Sequence, residues 1–135
     1  MKATKVYEDH WRGTTSDAVQ YETNDPAAGV KAVDSLDGKV KTMVTFEHDR
    51  TMLSISGGND GRYMAFFAVN VDEELFNLVN GGIASGPANL EIVTGGQHGL
   101  VSARACLNLK AVEQAAAYFI ETGTMNPKLD WERAA

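Results

Sequence analysis

The spacing of hydrophobic positions changes along the chain, and each spacing predicts a different element. Asp25-Pro26 has the form of a helix start, with Asp as N-cap and Pro in the first turn. Apolar residues then recur at helical spacing until Asp37-Gly38. In VKTMVTFE, which follows, the period becomes two, as in a strand with one buried face. The sequence thus predicts an early helix at about 25–37 that leads into a sheet.

Two further apolar segments continue this sheet. TMLSIS alternates leucine and isoleucine with serine, and GGNDG then forms a loop of the kind that joins hairpin strands. The next segment, RYMAFFAVN, is apolar on both of its faces. We therefore expect it to be a central strand that is covered on both sides.

The second half of the chain carries fewer apolar positions. Residues 72–78 have a mixed pattern that fits a short helical turn, and LEIVT and GLVSARA flank GGQH as in a hairpin. A late helix at about 108–122 follows, with Asn108 as its cap and Gly123 at its end. The prediction for residues 1–135 is a single α+β domain, in which an antiparallel meander sheet of about five to six strands carries both helices.

Composition is typical of a folded globular protein. Hydrophobic residues make up 44% of the chain and charged residues 22%, which argues against a disordered or membrane-spanning chain. The first residues contain no apolar run that could serve as a signal peptide, so we expect a cytoplasmic protein without membrane contact. The single cysteine excludes an internal disulfide and a zinc cluster of several thiolates.

The negative charge is concentrated in one part of the chain. The net charge is -6, and residues 63–103 hold Asp72, Glu73, Glu74 and Glu91 without any Lys or Arg. Phosphate binding needs clustered basic side chains, so nucleic acid is a poor direct partner. A basic protein surface is a good partner for such a chain. The alternative is that the acidic residues only keep the protein soluble.

Candidate catalytic groups occur together in FEHDR, which contains Glu47, His48 and Asp49. A small enzyme could use them as an acid and base pair, but consecutive strand residues point to opposite faces, so Glu47 and His48 should diverge. The three histidines lack metal-ligand spacing, and no phosphate-binding loop or nucleophile motif is present. We therefore predict no catalytic residue, no metal site and no cofactor.

The C-terminal segment YFIETGTMNPKLDW places a tryptophan close to the end of the chain. After the glycine and the proline, Leu129 and Trp131 can fold back under the last helix and close the core, since a tryptophan buries a large apolar area. The alternative is that Trp131 is exposed to solvent and binds a partner protein.

This segment resembles the C-terminal motif of immunity protein family one of the bacterial polymorphic toxin systems. The matching residues are two adjacent aromatics, a Thr-Gly stop, a proline and a final Leu-x-Trp: Tyr118, Phe119, Thr122, Gly123, Pro127, Leu129 and Trp131. The resemblance implies an inhibitor without catalysis. Such a protein stays in the producing cell's cytoplasm and covers the active site of its cognate toxin C-terminal domain. Several toxins paired with the family act on nucleic acids, cytidine deaminases among them.

An acidic inhibitor can imitate phosphates in the basic groove of such a toxin. We expect the toxin-binding residues in the acidic segment and at the hairpin tips: Asp49, Asp60, Asp72, Glu73 and Glu74. A second possibility is a homo-oligomeric binding or regulatory module, in which a partner chain covers Phe66, Phe67 and Phe76.

Overall fold

A seven-stranded antiparallel sheet and two helices form the fold, as shown by a computed structural model that describes residues 3–70, 73–84 and 86–134. In chain order, the elements are β1 (Thr4–Glu8), β2 (Trp11–Arg12), β3 (Thr15–Ser16), β4 (Val19–Thr23), α1 (Pro26–Asp34), β5 (Met43–His48), β6 (Thr51–Gly57), β7 (Tyr63–Val69), β8 (Glu74–Leu78), β9 (Leu90–Thr94), β10 (Gln97–Val101), α2 (Leu109–Thr122) and β11 (Trp131–Arg133).

The main sheet has the order β11-β8-β7-β6-β5-β1-β4. Strands β5 to β8 form a meander, while β1 and β4 extend it on one side and β11 on the other. The predicted α+β class with an antiparallel sheet is confirmed. The strand count is seven rather than five to six, because β1, β4, β8 and β11 join the sheet, whereas the predicted hairpin of LEIVT and GLVSARA forms β9–β10 outside it. Two small hairpins, β2–β3 and β9–β10, lie outside the main sheet.

Both helices begin with the caps that the sequence predicts. The Asp25 carboxylate accepts a hydrogen bond from the Ala27 N–H at the start of α1, and the Asn108 side chain accepts one from the Ala111 N–H in α2. Gly123 ends α2 with a φ of 75°, and a β-carbon there would lie 2.5 Å from His48. The left-handed conformation and the close ring together explain the glycine.

The early helix ends sooner than predicted. It stops at Ser35, whose N–H donates to the Lys31 carbonyl, instead of continuing to Asp37-Gly38. The reason is local, because one Asp37 carboxylate oxygen accepts the N–H groups of residues 39, 40 and 41 and folds this segment into a turn. Burial of Asp37 opposes ionisation, but these backbone hydrogen bonds outweigh it and lower the pKa of the carboxyl group.

The predicted helical turn at residues 72–78 is wrong. Val71 and Asp72 lie outside the described residues, and Glu74–Leu78 forms β8, with β7 on one side and β11 on the other. A five-residue segment gains hydrogen bonds along both edges in this position, which outweighs any preference of its side chains for a helix.

The core lies between the helices and one face of the sheet. Helix α2 packs against α1 and contacts β5, β6 and β7. The Phe119 ring lies 6.4 Å from that of Phe46 and 6.1 Å from that of Phe67, measured between centroids. The largest fully buried side chains of this layer are Val6, Val33, Val44, Phe46, Leu53, Ile55, Phe67, Leu78, Val112, Phe119 and Ile120.

The C-terminal segment completes the sheet. Trp131 pairs with Leu78 as the first residue of β11, and its ring lies 6.3 Å from that of Phe67. Its indole N–H donates to the Asn126 carbonyl, so the segment between α2 and β11 is tied to the strand. Leu129 and Trp131 are half-buried and pack against the core.

Replacing Trp131 by alanine should lower the free energy of unfolding by about 2 kcal/mol, because the half-buried ring and its hydrogen bond are both lost. Urea unfolding measures the change. Trp131→Phe keeps much of the apolar contact and should cost less. An alanine variant as stable as the original chain would show that β11 does not stabilise the core.

Two acidic side chains meet between the helices. A hydrogen bond to Asp34 raises the pKa of Glu113 above its usual 4.5, so the folded state holds the shared proton more tightly than the unfolded state. Because the folded state binds this proton more tightly, protonation of Glu113 stabilises the fold. The stabilisation is present at low pH and is lost as the pH rises through the raised pKa.

Glu113→Gln should stabilise the protein at about pH 7 by about 0.2 to 0.5 kcal/mol, since the amide removes a like-charge contact and can still donate to Asp34. The gain should be smaller at about pH 5, because the wild-type carboxyl is protonated to a larger extent there than at about pH 7. Urea midpoints at both pH values measure it, with the exposed Glu121→Gln as control. A gain that is equal at both pH values would contradict the shared proton.

Candidate functional site

The sheet has a second face, turned away from the helices, which we call the open face. Paired residues of antiparallel strands lie on the same face, so the register defines rows that cross the sheet. One row runs Glu22, Lys5, Glu47, Met52, Ala68 and Leu75. The next runs Gln20, Tyr7, Thr45, Ser54, Phe66, Asn77 and Glu132.

One side of the open face is acidic. Glu22, Glu47 and Asp49 line a shallow groove of about 330 Å³ together with Ala3 and Lys5, so three carboxylates face one ammonium group. A hydrogen bond between Tyr7 and Glu47, followed by burial, raises the pKa of the Tyr7 hydroxyl. The groove therefore carries net negative charge, and the Tyr7 hydroxyl bonded to Glu47 remains neutral at physiological pH.

The middle of the open face is apolar. Met52, Phe66 and Leu75 are half-buried there, and none of them belongs to the core on the helix side. The β9–β10 hairpin covers a different part of the same face, because β9 packs against β6 and Met64 lines a groove with Ile92. The apolar middle thus adjoins both the acidic groove, with which it shares a row, and the part of the face that the hairpin covers.

Three of the expected toxin-binding residues lie at one end of the sheet, which we call the acidic end. Asp49 is exposed in the β5–β6 turn, Glu73 ends the β7–β8 turn, and Glu74 is the first residue of β8. The Asn70 N–H donates to the Arg50 carbonyl, which ties the two turns together. Glu74 contacts Arg133 of β11 at 3.7 Å. Asp72 lies outside the described residues.

Asp60 lies at the opposite end of the sheet, in the β6–β7 loop, and is exposed with a φ of 54°. It borders a cleft of about 820 Å³ between this loop, the β2–β3 hairpin and the β9–β10 hairpin. The neighbouring Asn59 side chain donates to the Glu91 carbonyl and accepts from the Val93 N–H, so it holds β9 against the main sheet. Asp60 therefore does not share a surface with Asp49, Glu73 and Glu74.

The candidate acid and base pair is separated by the sheet. Glu47 lies on the open face in register with Lys5, whereas His48 lies against Gly123 on the helix side. The His48 Nδ1 atom is buried without a hydrogen-bond partner. In residues 3–70, 73–84 and 86–134, no three His, Cys, Asp or Glu side chains are grouped so as to hold a metal ion. Over the same ranges, no helix is both long and apolar enough to cross a membrane.

Sequence reasoning missed part of the open face. Glu22, Tyr7, Met52 and Leu75 gave no signal as a group, because β1, which is far from β5 in sequence, lies between β4 and β5. The available signal was the alternation in TKVYE, where Thr4, Val6 and Glu8 are buried in the structure. Recognising that strand would have placed its other residues on the opposite face.

A comparison with protein families gives one match of nearly full length. The model described as immunity protein Imm1 matches residues 5–133. No curated protein and no solved structure matches significantly.

Proposed function

Because the chain belongs to the Imm1 family of immunity proteins, we propose that it protects the cell that makes it by binding the C-terminal domain of a cognate secreted toxin and covering its active site. The observation that carries this proposal is the family match, which spans both helices and all of the sheet except Thr4. Inhibition by binding requires a complementary surface and no catalytic group.

We further propose that the toxin acts on nucleic acid, as a cytidine deaminase does. An enzyme that binds DNA or RNA presents basic side chains to the phosphates. The net charge of -6, together with the clustered carboxylates of the acidic end and the groove, is complementary to such a surface. Electrostatic attraction between the two proteins would increase the rate of association.

The acidic end is the best supported of the expected contact sites, because Asp49, Glu73 and Glu74 lie near one another there. Asp72 stays in the proposal because it directly precedes Glu73 and Glu74 in the sequence. Asp60 would reach the same toxin only if the toxin domain extends over the full length of the sheet, so we give it a secondary role.

Co-expression with the toxin domain encoded beside this gene tests the proposal. We expect restored growth, and a one-to-one complex when the tagged protein is isolated with the toxin domain. Sequencing DNA from cells that carry the toxin alone would show C-to-T changes if the toxin is a DNA cytidine deaminase. Normal binding without such changes would reject this activity for the toxin and leave the inhibitor role intact. Neither complex nor rescue would reject the inhibitor role itself.

A further inference from the structure

We propose that the open face is the main contact surface for the toxin domain, with Met52, Phe66 and Leu75 as its apolar centre and Glu22 and Glu47 as its charged border. The partner chemistry that fits is a basic surface with an apolar side chain beside its Lys or Arg residues. This inference rests on the proposed function and adds the location and composition of the interface.

The apolar centre has no role in the core. A two-layer fold needs one buried sheet face, and here that face is filled by Phe46, Leu53 and Phe67 beneath the helices. Met52 and Phe66, which alternate with Leu53 and Phe67 along their strands, point the other way and stay half-buried. Large apolar side chains grouped on a sheet surface are typical of a binding site.

The charged border supports the choice of partner. Glu22 and Glu47 stand on either side of Lys5 in the same row as Met52 and Leu75, and Asp49 lies at the edge of their groove. Protein interfaces commonly have an apolar centre and a polar border, and the border selects the partner by complementary charge. A border with more carboxylates than basic groups selects a basic partner.

A second copy of this chain fits the open face poorly. A two-fold contact uses the same surface on both copies. Because the carboxylates occupy one side of the face and the apolar residues the other, a two-fold contact that uses the whole face places carboxylates either on carboxylates or on apolar side chains. Both arrangements are unfavourable, since like charges repel and a buried charge needs a partner.

The test measures affinity of the full chain for the toxin domain encoded beside its gene, inactivated in its own active site. Phe66→Ala combined with Leu75→Ala should weaken binding by about 100-fold, since central apolar residues carry most of the affinity. Glu22→Lys combined with Glu47→Gln should weaken it by about 10-fold and reduce its dependence on salt.

Matched controls change the same kinds of residue elsewhere. Leu100→Ala removes an apolar side chain that is 63% exposed on β10, and Glu121→Lys reverses an exposed charge on α2. Both control variants should bind the toxin domain with the affinity of the original chain. Circular dichroism melting shows which variants are folded. If the double alanine variant is unfolded, the affinity of the variant with Glu22→Lys and Glu47→Gln tests the location of the interface.

The outcomes separate the two proposals. If the unaltered chain does not bind the toxin domain, the proposed function fails. If it binds and the folded open-face variants bind equally well, the location inferred here is wrong while the inhibitor role stands. A dimer of the unaltered chain in light scattering that the alanine changes convert to a monomer would also overturn the inference, because the face would then be occupied by a second copy.

Discussion

Replacing Phe119 by alanine is expected to lower the free energy of unfolding by about 3 to 5 kcal/mol, the largest effect of any single change considered. The ring is fully buried and contacts the rings of Phe46 and Phe67, so it joins α2 to the middle of the sheet. Its removal loses apolar burial and leaves a cavity between rigid elements that cannot close over it.

Urea unfolding of Phe119→Ala gives the measurement, and Tyr118→Ala is the control. Tyr118 is adjacent in the same helix but only half-buried, so its change should cost clearly less. A loss below about 1 kcal/mol for Phe119→Ala would mean that the core between α2 and the sheet relaxes around the missing ring.

Changing the acidic end should weaken toxin binding by about 100-fold while the protein stays folded, because complementary charges across an interface raise the rate of association. The variant combines Glu73→Lys and Glu74→Lys with Asp49→Asn. Asparagine is chosen because residue 49 has a φ of 59°, which Asn tolerates and Lys does not. The exposed Glu74–Arg133 contact is lost, at a cost of only about 0.2 to 1 kcal/mol.

The loss should arise mainly from slower association and should be smaller at high salt, because long-range attraction between charged surfaces is screened. Stopped-flow mixing with the inactivated toxin domain measures the rate. A control with Asp34→Asn, Glu113→Lys and Glu121→Lys makes the same change in net charge on the helical layer. Equal losses in both variants would attribute the effect to total charge and remove the acidic end from the contact.

The helices and the central meander were predictable because local chemistry determines them. Asp25, Asn108 and Gly123 mark helix ends through their own backbone hydrogen bonds, and the alternation around Val44 and Phe46 needs only one buried face. The strands at the edges of the sheet were not predictable. The pairing of Trp131 with Leu78 joins segments that are distant in sequence, and no local pattern encodes it.

The candidate site was predictable in charge but not in geometry. Counting charges located the acidic segment around Glu73 and Glu74. Counting alone did not show that Asp60 lies at the far end of the sheet, although the predicted meander implies it, because successive hairpin loops lie at alternate ends. It also could not bring Glu22 near Glu47, since Lys5 of β1 lies between them only once all three strands have paired.

The edge position of β11 has a consequence for protein synthesis. Trp131–Arg133 are synthesised long after β8, yet they cover its outer edge. While the chain is being made, that edge carries unpaired N–H and C=O groups that can pair with another chain. Premature termination after Asp130 would make this state permanent, and we expect such shortened chains to aggregate in the cell rather than accumulate as a weaker inhibitor.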